Sequence, residues 1–360
     1  MMTDVSGVTP SETTAPHQPV RRKRGVLFWT RRVLKYLVIG LVVVVLLGVV
    51  YQTVATAIDK RNFPPPGQLF NVDGRQMHIH CMGAGNPTVI LEAGGFSFSV
   101  EWYWVQRQLA QTTRVCAYDR AGTGWSESSP TPRSGVQIAR ELRTLLAEAG
   151  IPGPYVLVGH SLGGILTRIY ASQYPDDVIG IALVDTAFLR PRSFHDQGEF
   201  DQWKAQNDLL QAFLWALVRT GVLRFVIGGE IQAMGYPPDI AAAFTALKST
   251  NQSFDTYYAE AIPARWELGE QSIAAENLGA LPLMVLWADH PEVLEMPAED
   301  QEIFKAIQQD VAAYSSNSAV RTIAGSDHGS IIGNEQYAQQ VSDAILDVME
   351  AAQTGDPLTR

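Results

Sequence analysis

The chain holds 360 residues, 46% of them apolar and 18% charged, at a formal net charge of −10. That length suits one large α/β domain or two small ones. The acidic balance excludes nucleic acid as a partner, and two cysteines are too few for a disulfide framework and form no zinc pattern.

Residues 1–35 carry seven basic and two acidic side chains and read as a disordered basic tail, polar and without an apolar period over its first part. Residues 36–58 contain no charged side chain. As a helix, that stretch reaches about 34 Å against an acyl core of about 30 Å, so one membrane-spanning helix is predicted. Basic residues crowd before it, from Arg21 to Lys35, while only Lys60 and Arg61 follow, beside Asp59. This asymmetry predicts a cytoplasmic N-terminus and an extracytoplasmic remainder. Ala55-Thr56-Ala57 also fits a cleavage site, and Arg31-Arg32 a twin-arginine export signal, which leaves a removed leader as the alternative. The length of the apolar run favours a retained anchor.

Residues 59–68 contain three consecutive prolines and read as a stiff linker. The soluble domain is expected over residues 69–351, with 352–360 as a tail. It opens with a β-hairpin, 69–72 and 76–81, turning at Asp73-Gly74. His78 and His80 share a face of its second strand; with no third ligand at a telling spacing they read as ordinary strand residues. Cys81 and Cys116 sit in apolar strand contexts and read as buried free thiols, with a disulfide as the alternative.

Short apolar runs at 88–91, 114–118, 155–158 and 179–184 alternate with helical patterns. A mostly parallel sheet flanked by helices is expected. The rhythm breaks over residues 186–280, where helical patterns carry Trp203, Phe213, Trp215, Phe225, Tyr236, Phe244, Phe254, Tyr257, Tyr258 and Trp266. This reads as an inserted helical cap whose aromatics pack a core and roof an apolar pocket. The sheet resumes at 283–287, a helix is expected over 299–314, a last strand at 319–323, and an amphipathic helix over 335–352.

The run at 156–158 leads into Gly159-His160-Ser161-Leu162-Gly163, and a helical pattern follows. A serine on so tight a strand-to-helix turn needs glycines where a β-carbon would collide with its neighbours. The turn exposes the Ser161 hydroxyl, and the amide of Leu162, at the head of the helix, can stabilise an oxyanion. A serine hydroxyl needs a base, and His328, on a loop after the last strand, is the candidate. His160 is expected to shape the turn; His17, His195 and His290 lie in the tail, in the cap and too near the acid. Asp289, closing the strand after the cap, is the expected orienting carboxylate; Asp185, closing the strand before it, is the rival, and Asp327 reads as a loop carboxylate. The second oxyanion donor is expected from Gly95, with Phe96 as its alternative.

On Gly-His-Ser-Leu-Gly-Gly at 159–164, Tyr-Asp-Arg-Ala-Gly-Thr-Gly-Trp-Ser at 118–126 and Asp-His-Gly at 327–329, residues 69–351 resemble the α/β-hydrolase fold family. The resemblance implies an eight-stranded sheet with a cap after the sixth strand, and carries catalytic roles onto Ser161, Asp289 and His328. Many relatives have His-Gly where this chain has Ala93-Gly94, which leaves the oxyanion donor assigned to Gly95 open. Related dehalogenases and epoxide hydrolases use aspartate at the nucleophile position, so serine disfavours both chemistries. The expectation is a membrane-anchored serine hydrolase of small or lipid-like carboxylic esters, working without a cofactor. An acyltransferase on the same acyl-enzyme, or a catalytically silent binding protein, are its alternatives.

Overall fold

The computed structural model describes residues 25–129, 133–186, 197–261, 265–289, 306 and 309–358. His17, His195, His290, much of the helix expected over 299–314 and most of the basic tail lie outside them. The chain divides into two units, Met1–Leu46 and Leu47–Arg360.

In the first unit the described residues belong to α1 (Val26–Asn62), which runs on into the second. Its apolar residues are exposed on every face, Leu37, Leu41 and Val44 by about two-thirds each. A helix apolar all round, of mean hydropathy 2.8, is one that could anchor the protein to a membrane. Because α1 continues to Asn62, the first part of the expected linker is helical.

The second unit is built on an eight-stranded sheet in the order β1-β2-β4-β3-β5-β6-β7-β8. β1 (Gln68–Val72), β2 (Arg75–Met82) and β4 (Val115–Tyr118) pair antiparallel. β3 (Thr88–Glu92), β5 (Tyr155–His160), β6 (Val178–Val184), β7 (Leu283–Ala288) and β8 (Ser318–Ile323) continue from β4 in parallel. The central strands read as unbroken apolar runs because both faces are covered. Val89, Leu91, Val156 and Val158 face α11 (Glu335–Thr354) and α2 (Tyr103–Leu109), while Ile90, Tyr155 and Leu157 face α3 (Gly135–Glu148) and α4 (Leu162–Gln173).

The cysteines are not free thiols. Cys81 on β2 stands directly opposite Cys116 on β4, and the two form a disulfide. Cys81 is exposed rather than buried.

Between β6 and β7 come five helices among the described residues: α5 (Gln197–Arg219), α6 (Leu223–Ala233), α7 (Pro238–Lys248), α8 (Asn251–Ala261) and α9 (Arg265–Ala274). Tyr236, Phe244 and Phe254 are buried, as a cap core requires, and Phe244 packs edge-on against Phe98 of the main domain at 5.1 Å. Phe213 and Phe225, however, are 60% and 73% exposed, so they pack no core.

Candidate active site

β5 ends at His160, and Ser161 follows with φ 52° and ψ −121° before α4 begins at Leu162. A residue with a side chain holds such angles at a cost of about 1–3 kcal/mol, so the surroundings must enforce them. A β-carbon on Gly159 would lie 2.4 Å from the Gly163 carbonyl oxygen, and one on Gly163 would lie 2.4 Å from that of Glu92. Either addition would push the helix off the sheet. The Ser161 amide donates to the Val184 carbonyl at 3.0 Å, and the Thr186 hydroxyl to the Ser161 carbonyl at 3.2 Å. Among the described residues four non-glycines have positive φ; three of them are Ser161, Phe96 and Asp185.

His328 follows β8. Its Nδ1 lies 2.5 Å from Oδ2 of Asp185, the carboxylate at the end of β6. A carboxylate accepts, so Nδ1 carries a proton in this contact. The other Asp185 oxygen, Oδ1, accepts from the Ala288 amide at 3.2 Å, so β7 fixes the acid closing β6. Asp289, the expected partner, instead accepts from the Gly325 amide at 3.0 Å. Asp327 accepts from the amides of Gly329 and Ser330, which shapes the loop around His328. The His328 side chain is 51% exposed, and its ring centroid lies 4.7 Å from that of His160.

His160 is the chain neighbour of Ser161, with both ring nitrogens directed. Nε2 donates to the His328 carbonyl at 3.0 Å, and Nδ1 lies 3.5 Å from the Glu101 carboxylate. Burial depresses this imidazole, but the charge and hydrogen bonding of Glu101, with Asp185 and the His328 carbonyl, together outweigh it and raise the pKa above the usual histidine value. Burial likewise opposes the Glu101 carboxylate, and His160, with Ser97 and the Gly94 amide, together outweigh that, holding Glu101 below the usual range. A raised histidine pKa contributes stability that is whole below the unfolded value, near 6.5, and disappears as pH climbs through the folded one. Glu101→Gln removes the charge that raises His160 and leaves burial in command. We expect the alkaline-side fall in melting temperature that His160 causes to vanish in that variant. Melting curves taken between pH 5 and 10 check this; an unchanged alkaline slope would mean the imidazole is neutral throughout.

The end of β3 is held from several directions. The Gly94 amide donates to Glu101 at 2.8 Å, which commits it elsewhere than to an oxyanion. The Arg120 guanidinium donates to the carbonyls of Ala93 and Gly94 at 2.6 and 2.8 Å, to Glu92 at 2.7 Å, and to both oxygens of Glu260 on α8. These bonds direct the chain into Gly95 and Phe96. A methyl on Gly95 would stand 3.5 Å from Leu162 Cδ2 and 3.5 Å from the Tyr257 ring, so Gly95 lies beside the head of α4 and beneath the cap. The Phe96 ring meets Tyr257 at 5.1 Å and Phe254 at 6.3 Å, an aromatic roof carried by α8.

The charges continue through Arg133, which pairs with Glu260 and Glu141, to Arg75, which pairs with Glu141. Glu92, Glu101 and Glu260 lie outside every motif, and Arg120 lies inside the 118–126 motif with no role assigned to it. The signal for the first two is a charged residue beside an apolar run, as Glu92 closes β3 and Glu101 precedes Trp102. His78, by contrast, is structural: Nδ1 pairs with Asp119 at 2.9 Å and Nε2 accepts from the Gly67 amide at 3.2 Å.

The model of the alpha/beta hydrolase fold matches residues 87–334. Among solved structures, the epoxide hydrolase CorEH superposes with a TM-score of 0.59 at 19% identity, covering 79% of this chain and 98% of that one. A thermophilic esterase from Thermogutta terrifontis superposes at 0.57 and 20% identity, covering 79% of this chain and 98% of its own. At those identities the likeness is one of fold. Uncharacterized protein YqjL of Bacillus subtilis is 34% identical over 119 residues, 33% of this chain and 47% of its own. The matches span less than half the length of the curated relatives.

Proposed function

Since the chain belongs to the α/β-hydrolase fold family, we propose that it is a serine hydrolase that cleaves carboxylic esters through an acyl-enzyme. In this reading Oγ of Ser161 bonds to the ester carbonyl carbon while its proton passes to Nε2 of His328. The amides of Leu162 and Gly95 hold the oxyanion, with Phe96 as the alternative to Gly95. Collapse expels the alcohol, which takes the proton from His328, and water repeats the cycle to release the acid. The orienting carboxylate is Asp185 rather than Asp289, because the ring can be held in one tautomer only by a group that bonds its Nδ1.

The observation that carries the reading is the 2.5 Å contact between His328 and Asp185, made within the cluster that presents Ser161. The aromatic roof of Phe96, Phe254 and Tyr257 favours small or lipid-like esters. A fluorophosphonate tests the chemistry, because it bonds only to a serine whose proton is taken up as it attacks. We expect one adduct, on Ser161, located by tryptic mass spectrometry and lost in Ser161→Ala. A protein that stays unlabelled while folded would be a binding module.

The domain boundaries proposed are those of the sequence, with the hydrolase over 69–351 and the cap over 186–280. We also read α1 as a retained single-pass anchor with a cytoplasmic N-terminus. The disulfide between Cys81 and Cys116 supports an extracytoplasmic domain, since such bonds persist in oxidising compartments.

A further inference from the structure

Helices α5 and α6 meet at 90°, and their outward side is apolar. Leu209, Phe213, Trp215, Val222, Phe225 and Val226 are each 42–77% exposed. Contiguous apolar surface of this kind on a folded domain marks a place where something other than water belongs.

The C-terminal part of α1, within the same unit, identifies what belongs there. The Tyr51 ring stacks on Phe225 at 6.4 Å and 8°, so the exposed cap residues continue the exposed apolar surface of α1. A β-carbon on Gly48 would come within 2.8 Å of Thr220, and one on Gly221 within 2.8 Å of the Tyr51 ring, so α1 and the turn joining α5 to α6 touch through glycine, the kind of small-residue approach that lets backbones pack closely in lipid.

The polar groups along this seam are turned inward. Gln52 is 1% exposed and donates to the Ser249 carbonyl at 2.7 Å. Arg224 binds Asp59 at 2.5 Å and Gln52 at 3.3 Å. The hydroxyls of Thr53 and Thr220 bond back to carbonyls of their own helices, at 2.8 Å to Val49 and 3.0 Å to Ala216. Pairing of these groups within the protein is what a surrounding without water favours.

The exposed apolar surface of α1 does not stop where the cap meets it: beyond the buried Gln52, Val54 and Ile58 are 52% and 49% exposed. A second copy of the chain could cover one face of α1, but not all of them.

We propose that the α5–α6 face of the cap is seated in the acyl layer of a lipid bilayer, beside α1, with Trp215 and Arg219, stacked at 3.4 Å, at its polar boundary. The seating rests on the reading of α1 as an anchor. It makes the cap a monotopic membrane element rather than a solvent-exposed lid.

The test uses the full-length protein in phosphatidylcholine vesicles. The native cysteines are bonded to each other, so one introduced cysteine takes a nitrobenzoxadiazole fluorophore alone. Phe213→Cys and Phe225→Cys report on the cap, Val43→Cys on the anchor, and Asp343→Cys on α11 is the water reference. We expect both cap labels to emit to the blue of the reference and to be quenched by brominated lipid to an extent comparable with Val43→Cys. Cap labels that match the reference while Val43→Cys is quenched would overturn the seating and leave the anchor. Four labels in water would remove anchor and seating together. Cap labels unaffected by brominated lipid, but quenching one another as protein concentration rises in the membrane, would assign the face to a second copy and overturn the proposal.

Discussion

Replacing Asp185 with Asn should lower kcat on a short-chain nitrophenyl ester by about 10⁴-fold, with KM nearly unchanged, while Asp289→Asn should stay within about tenfold of the parent. An amide at position 185 can offer its NH2 to His328 Nδ1, which then accepts, and the proton moves to Nε2. The ring would present a hydrogen to Ser161 where it needs a lone pair. Asp289 has no such hold, because its carboxylate serves the Gly325 amide. The Ala288 amide bonds Oδ1 of Asp185, so the substituted side chain keeps its position and folding is retained. Kinetics and a thermal melt of each variant suffice. A larger loss from Asp289→Asn than from Asp185→Asn would return the acid to the strand after the cap.

The ambiguity between these two acids has a physical origin. β6 and β7 are parallel neighbours with Val184 opposite Leu286, so each delivers an aspartate to the carboxyl edge of the sheet, and chain order fits either. Only the path of the loop after β8 decides, and a loop's path is set by contacts such as those of Asp327 with Gly329 and Ser330 that no periodicity records. What periodicity records well is burial on both faces. Thus β3, β5, β6 and β7 were legible as unbroken apolar runs, and the hairpin through its Asp73-Gly74 turn, where both residues take positive φ.

Pairing across strands was not legible. Cys81 and Cys116 bond because β2 lies beside β4 in a register that places them opposite, although β3 comes between the two strands in the chain. The cap aromatics fail for another reason. Helical spacing separates an apolar from a polar side, but it cannot tell an apolar side that meets protein, as Phe244 does, from one that faces outward, as Phe225 does. The charged network was hidden because motif reading attends to the glycines of the 118–126 loop rather than to Arg120, whose partners lie 28 and 140 positions away.

Arg120 is where the second large effect is expected. Its buried guanidinium bonds both the cap, through Glu260, and the backbone leading to the proposed oxyanion amides, through Ala93 and Gly94. The flanking carboxylates outweigh the cost of burial and hold its pKa above the usual arginine value. Arg120→Met would take from Glu92 and Glu260 the buried cation they share, leaving Glu92 only the Tyr118 hydroxyl and Glu260 only Arg133, a loss of about 3–5 kcal/mol that can prevent folding. The informative variant is Arg120→Lys, which keeps the charge but lacks the planar fork needed to serve carbonyls and carboxylates together. We expect kcat to fall by about 10²–10³-fold, the cost of one displaced oxyanion donor, with KM little changed. Glu141→Gln, at the far end of the same network, supplies the comparison. It too removes a buried partner, that of Arg133 and Arg75, so it should lower the melting temperature while leaving kcat near the parent value. If Arg120→Lys retained full kcat, or if the two variants lost activity in proportion to stability, the network would serve folding alone and the cap would have no hold on the oxyanion loop.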